Sequence, residues 1–117
     1  MEIPDGAFFY HKHLKRVGFE AGVRLERIGR DAFSASNLRV FTAPLCLREI
    51  CEDAFFGCRK LRQVVLNEGL EILGKGCFRE TGLRQIRIPA SVREVGEGVF
   101  RGCWALSLIE IVPESPL

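Results

Sequence analysis

Apolar positions recur along this chain with a nearly fixed period, and phenylalanine marks the period. Five phenylalanines, each preceded by a small residue, are separated by 25, 22, 23 and 22 residues; these marker phenylalanines are Phe8, Phe33, Phe55, Phe78 and Phe100. Self-similarity at 20 to 50 residues is typical of stacked repeat units, each of which buries its apolar edge only against its neighbours. The role of each apolar residue therefore follows from its place in the repeat.

Each repeat predicts one coil of a solenoid. A leucine stands five or six residues after each marker phenylalanine, and apolar residues three and five positions beyond it alternate as in a strand with one buried face. A Gly- or Pro-containing turn, a second extended segment and the phenylalanine turn then close the coil. We expect stacked parallel β-strands with short helical or 3₁₀ turns on the other side, at 22–25 residues per repeat.

One stretch carries the pattern most completely: residues 83–106 read LRQIRIPASVREVGEGVFRGCWAL. It resembles the BspA-like class of leucine-rich repeats, whose pattern is L-x-x-I-x-I-P-x-S-V-x-x-I-G-x-x-A-F-x-x-C-x-x-L, and the resemblance extends from Ile3 to Ile111. Cys51 in the Gly column, Cys77 and Val99 in the Ala column and His11 in the Cys column depart from that pattern. The resemblance implies a leucine-rich repeat solenoid and a binding role, and it implies no catalytic residues.

The repeats account for the whole chain as a single domain, 1–117. We divide it into an N-terminal partial repeat 3–13, four repeats at 14–37, 38–60, 61–82 and 83–105, and a C-terminal partial repeat 106–117. Where the spacing from phenylalanine to leucine is five rather than six, Asn37 or Gly82 precedes the leucine. Because Gly and Asn tolerate positive φ, we expect both in the left-handed region.

Five cysteines raise the possibilities of disulfides and of a metal site. Cys58 and Cys103 share a column two repeats apart, about 10 Å at strand spacing and beyond the reach of a bridge of about 7 Å. No C-x-x-C pair is present, and the His-x-His at 11 and 13 lacks a matching ligand pair. We expect free core thiols, which favour a reducing compartment.

Net charge is only +2, but the charges fall into columns. The column after the leucine contains Lys15, Arg39, Arg62 and Arg84, which we call the basic ladder, whereas the second extended segment contains Glu26, Glu49, Glu71 and Glu94. Such columns either pair with their neighbours or hold the carboxylates or phosphates of a partner. Nucleic-acid binding is not expected, because it favours aromatic side chains on an exposed face and the phenylalanines are predicted to be core.

The outward positions of the first strands are the candidate partner-binding residues. They are Arg16, Val40, Thr42, Gln63, Val65, Gln85, Arg87, Leu108 and Glu110. We expect an uninterrupted parallel sheet whose exposed face binds a protein partner of unknown identity. The alternative is a structural spacer segment of a longer repeat array or of a cell-surface adhesin-type protein.

An enzyme is not expected, because no nucleophile has an evident base partner and no phosphate-binding loop is present. No cofactor and no metal are expected either. We find no signal-peptide pattern at the start and no membrane span, although the family resemblance allows a cell-surface location for a longer parent protein.

The last strand, 107–112, carries an apolar edge without a capping helix, so we expect either continuation in a longer array or self-association through this edge.

Overall fold

The computed structural model describes residues 1–113 and consists of short strands joined by turns. The strands are β1 (Glu2–Ile3), β2 (Arg27–Ile28), β3 (Val40–Thr42), β4 (Glu49–Ile50), β5 (Gln63–Val65), β6 (Ile72–Leu73), β7 (Gln85–Ile88), β8 (Glu94–Val95) and β9 (Leu108–Ile111). All pairings are parallel, as expected of a coil that returns to the same position once per repeat. The predicted leucine-rich repeat solenoid is confirmed.

The second extended segment of each coil forms the most continuous sheet. Its strand order is β1-β2-β4-β6-β8, and its register aligns the aliphatic column Ile3, Ile28, Ile50, Leu73 and Val95. The first strands form two separate pairs, β3-β5 and β7-β9. Of the C-terminal partial repeat predicted at 106–117, the last four residues, including Pro116, lie outside the described range.

The marker phenylalanines stack along the solenoid axis in the core. Phe33, Phe55 and Phe78 are completely buried, and neighbouring ring centroids among them lie 5.3 Å apart with the planes within 12°. Phe8 and Phe100 extend the stack at its two ends. Stacked rings and the buried leucine column together form one continuous core.

The turns that carry the phenylalanines differ from the predicted helical or 3₁₀ turns. Amide-to-carbonyl hydrogen bonds of 3₁₀ spacing occur, such as Cys58 to Phe55 at 3.1 Å, but residues 1–113 contain no helix. Positive φ recurs two residues before each marker phenylalanine (Gly6, Asp31, Asp53, Gly76, Gly98) and two residues after it (Tyr10, Ala35, Gly57, Glu80, Gly102). Because a helix requires successive negative φ values, these residues limit each turn to isolated bonds.

The expectation that Asn37 and Gly82 have positive φ is wrong. The Asn37 side chain instead donates a hydrogen bond to the Lys12 carbonyl at 2.7 Å, which links two coils. At Gly82, a Cβ atom would lie 2.5 Å from the Arg59 carbonyl oxygen and would also overlap the Arg62 guanidinium. Glycine is therefore required at 82 by close packing and not by backbone conformation.

Candidate functional site

The outward face of the first strands, called here the first-strand face, carries eight of the nine predicted partner-binding residues within strands. Register places Val40 beside Gln63 and Thr42 beside Val65. In the next pair of strands, Gln85 lies beside Leu108 and Arg87 beside Glu110. Arg16 is exposed but lies outside any strand, and Val40 is only partly exposed.

The first-strand face is not the uninterrupted sheet that the sequence predicted. Among the described residues, no backbone hydrogen bond joins β5 to β7, although the two strands are neighbours. On the opposite side of the same two coils, β6 pairs with β8, and the Gly76 amide bonds the Glu97 carbonyl at 3.0 Å. The two coils are therefore joined along one side and separated on the first-strand face.

Spacing in the sequence accounts for the position of this break. Strands β5 and β9 each follow a leucine, Leu61 or Leu106, that stands six residues after its marker phenylalanine. Both strands pair fully with the preceding strand. The strands after Leu38 and Leu83 follow the five-residue spacing, and neither forms a ladder with the segment before it. One residue fewer in the turn shifts the start of the strand, so after Leu83 no described backbone bond joins β7 to β5, and after Leu38 a single bond remains, from the Arg39 amide to the Lys15 carbonyl at 2.9 Å.

A groove, which we call the β5/β7 groove, lies over the break between β5 and β7. Its volume is about 730 Å³, and six predicted residues line it: Gln63, Val65, Gln85, Arg87, Leu108 and Glu110. The buried residues Val64 on β5 and Ile86 on β7 also line the groove. Val65 and Leu108 are about half exposed, and Arg87 Nε lies 3.5 Å from Glu110 Oε1. The groove thus combines exposed apolar side chains with charged and amide groups.

Sequence reasoning did not assign Arg62, Arg84 and Trp104 to the site. Arg62 and Arg84 line the β5/β7 groove and also a second, adjacent depression of about 260 Å³. Trp104, whose side chain is 93% exposed, lines that second depression. The two arginines therefore form a ridge between the groove and the tryptophan. Their place in the basic ladder was the signal available in the sequence.

The acidic and basic columns differ in their pairing. Glu71 accepts hydrogen bonds from Arg93 and Arg48, with shortest nitrogen–oxygen distances of 3.2 Å and 3.0 Å respectively, and the bond from Arg93 is the main cause of its lowered pKa. Glu49 and Glu2 likewise lie beside Arg27. By contrast, no described carboxylate lies within 4.0 Å of a nitrogen of the basic ladder. Two of these four unpaired cations, Arg62 and Arg84, line the groove.

The cysteines are free, and four of the five are buried. The Cys58 thiol donates to the Phe33 carbonyl at 3.0 Å, and Cys103 makes the equivalent bond to Phe78 one pair of coils further along. Burial raises the pKa of Cys51 to about 11, which keeps it protonated and unreactive at neutral pH. Cys46 is exposed, so the prediction of a core thiol is wrong at that position.

Residues 1–113 contain no cluster of three or more His, Cys, Asp or Glu side chains positioned to hold a metal ion. Nor does any helix in this range have the length and apolarity needed to cross a membrane.

Comparison with solved structures identifies several similar folds. A leucine-rich repeat protein from Bacteroides ovatus is 26% identical, with a TM-score of 0.86 over 93% of this chain and 28% of its own. A leucine rich cell surface protein from Faecalibacterium prausnitzii is 27% identical, with a TM-score of 0.69 over 97% of this chain and 39% of its own. A T. pallidum leucine-rich repeat protein is 27% identical, with a TM-score of 0.80 over 97% of this chain and 64% of its own.

This chain thus spans between 28% and 64% of the lengths of these proteins. No curated protein matches it. The family model for the BspA type leucine rich repeat region matches residues 1–113 in six copies. Leucine-rich repeat folds are generally non-enzymatic and typically mediate protein interactions. The chain belongs to the BspA-type leucine-rich repeat family.

Proposed function

We propose that this protein is a non-catalytic interaction module that binds a protein partner across its first-strand face, centred on the β5/β7 groove. The observation that carries the proposal is the convergence of six outward side chains from three strands on one groove. A rigid solenoid presents such side chains without an ordering cost at binding, which favours affinity.

The composition of the groove supports a protein partner over a small metabolite. Val65 and Leu108 contribute exposed apolar area to the lining, whereas Gln63, Gln85 and the Arg87–Glu110 pair offer hydrogen bonds. Protein interfaces likewise combine apolar contact area with hydrogen-bonding groups. An open groove of this kind excludes little water, whereas small-molecule sites usually enclose most of the ligand.

Affinity capture from the cells that make the protein, with Val65→Ser/Arg87→Ser compared with wild type, tests the proposal. A matched control is Val95→Ser/Arg101→Ser, because Val95 is exposed on β8 of the other sheet and Arg101 is exposed in a turn. We expect the groove variant to lose a partner that wild type and the control variant both retain. Equal capture by all three proteins would refute binding through the groove.

A second candidate function is a structural spacer within a longer repeat array. The length comparison favours it, since this chain spans 28% of the B. ovatus protein and 39% of the F. prausnitzii cell surface protein. In a surface-anchored parent, such a segment would extend a distal binding domain. A spacer is indifferent to Val65→Ser/Arg87→Ser, so the capture experiment separates the two functions.

Self-association through β9 is a further proposal for this fold. Ile109 and Ile111 are exposed on this strand, and within residues 1–113 β9 pairs on one side only, with β7. Exposed apolar edges are templates for pairing with another chain.

A further inference from the structure

Building on the proposed function, we infer that the basic ladder and Trp104 dock an α-helix of the partner that carries a stripe of acidic side chains along one face. The ladder lies along one side of the first-strand face: Arg62 and Arg84 line the β5/β7 groove itself. A partner seated in the groove therefore contacts the ladder.

The ladder places four cations in one column of a chain whose net charge is only +2. Backbone bonds of 2.9 Å link Arg39 to Lys15 and Arg62 to Arg39, so the first three rungs are held in register, and Arg84 lies on the other side of the break. Arg48 and Arg93 pair with Glu71, whereas no described carboxylate lies within 4.0 Å of a ladder nitrogen. Arg24 and Arg101 also have no described carboxylate partner, so the alignment of its charges in one column sets the ladder apart. A column of like charges is stabilised when a partner supplies anions.

One rung is held in position before any partner arrives. Arg62 Nη1 donates to the Arg59 carbonyl at 2.6 Å, and its guanidinium lies over Gly82, where a Cβ atom would overlap it. Arg59 itself is paired with Glu80 at 3.0 Å, which keeps that neighbouring charge compensated. The absence of a side chain at 82 therefore allows Arg62 to lie across the break beside Arg84.

The spacing of the ladder residues favours an acidic helix over an extended acidic peptide. Rungs joined by backbone bonds lie about 4.8 Å apart, as in a parallel sheet, and the step from Arg62 to Arg84 crosses the break, whereas side chains on one face of an extended peptide lie about 6.7 Å apart. An α-helix rises about 5.4 Å per turn, so acidic residues at i, i+4, i+7 and i+11 match four rungs within the reach of flexible arginine side chains.

Trp104 favours a protein ligand over a nucleic acid. Its side chain is 93% exposed beside the ridge of Arg62 and Arg84, where it would cover the apolar part of an amphipathic helix. Single-stranded nucleic acids prefer a series of exposed aromatic rings, one for each stacked base. In this chain the repeating aromatic column is Phe33, Phe55 and Phe78, and it is completely buried.

Trp104 also supplies the assay, because it is the single tryptophan of the chain. The probe is a 22-residue helical peptide without aromatic residues, with Glu at i, i+4, i+7 and i+11 and Leu on the adjacent face. An isomeric peptide of identical composition distributes the four glutamates around the helix. We expect the striped peptide to shift Trp104 emission to shorter wavelength and to bind at least about fivefold more tightly than its isomer, with affinity that falls as salt rises.

Variants locate the interaction on the ladder. Arg39→Gln/Arg84→Gln should weaken binding of the striped peptide about fivefold or more. The control Arg24→Gln/Arg101→Gln removes the same charge from exposed positions off the ladder and should leave binding unchanged. Far-UV circular dichroism and urea midpoints verify folding of each variant, and Lys15→Gln/Arg62→Gln replaces the first pair if it fails to fold.

Several results would overturn the inference. They are equal binding of the two peptides, equal loss in the control variant, and tighter binding of heparin or oligo(dT) than of the striped peptide, which would assign the ladder to polyanions. If Val65→Ser/Arg87→Ser loses its captured partner but the striped peptide does not bind, the helix inference fails and the proposed function stands. If the peptide binds but that variant captures its partner normally, the groove proposal fails instead.

Discussion

The stack of marker phenylalanines gives a stability prediction that compares two identical substitutions in different places. Phe78 is completely buried between Phe55, at a centroid distance of 5.3 Å, and Phe100, at 6.2 Å. Replacement by alanine removes the ring and leaves a closed cavity between stacked neighbours. Loss of transfer free energy together with that cavity is expected to cost about 3–5 kcal/mol.

Phe8 has the same chemistry in a more open environment. Its ring stacks on one marker phenylalanine, Phe33, at 5.3 Å, and 36% of the side chain is exposed. Burial of a whole phenylalanine side chain contributes about 1.5–3 kcal/mol, so the buried two thirds of this one contribute about 1–2 kcal/mol. Solvent fills the space that Phe8→Ala leaves, and no closed cavity adds to that loss.

Urea titrations followed by far-UV circular dichroism measure the difference. With a denaturant slope of about 1–3 kcal/mol per molar, a gap of about 2 kcal/mol separates the midpoints of Phe8→Ala and Phe78→Ala by about 1 M. Phe9→Ala is the control for a solvent-exposed neighbour, since Phe9 is 53% exposed, and should change the midpoint least. An equal or larger loss at Phe8 would refute the stacked arrangement as the source of stability.

Other predictions test the turns, the thiols, the edge and the surface charges. Gly82→Val should lower the melting temperature more than Lys60→Val, because a side chain at 82 overlaps its neighbours; equal melting temperatures would contradict this. A thiol reagent should modify Cys46 alone in the native protein and all five cysteines after unfolding without reductant, whereas three or one in the unfolded protein would reveal disulfides. If β9 drives self-association, light scattering at about 100 µM should show oligomers that Ile109→Lys abolishes; a monomeric wild type would refute the edge argument. Because the pKa of Glu71 is lowered in the folded state, its stabilisation is complete above its usual pKa and is lost as pH falls through the lowered value. Glu71→Gln should therefore reduce the loss of stability in acid titrations, and an unchanged acid transition would count against that role.

The repeat pattern by itself determined the solenoid, the core and the outward positions of the strands. Each coil has the same length to within a few residues, so a side chain in a given column meets its counterparts in the next coil, and Phe33, Phe55 and Phe78 had to stack. Alternation then assigned Gln63 and Val65 to the outward side, because successive residues of a strand point to opposite faces.

Only the tertiary structure decided where the sheet breaks, which charges pair and which turn residues take positive φ. These features depend on contacts between coils: the five-residue spacing was visible at Leu38 and Leu83, but its consequence required the position of the preceding strand. The partners of Glu71 are one repeat away on either side along the chain, at Arg48 and Arg93, and become neighbours only through stacking. Side-chain order along the chain is local information, whereas the fit of one coil against the next is set by the packing of the whole array.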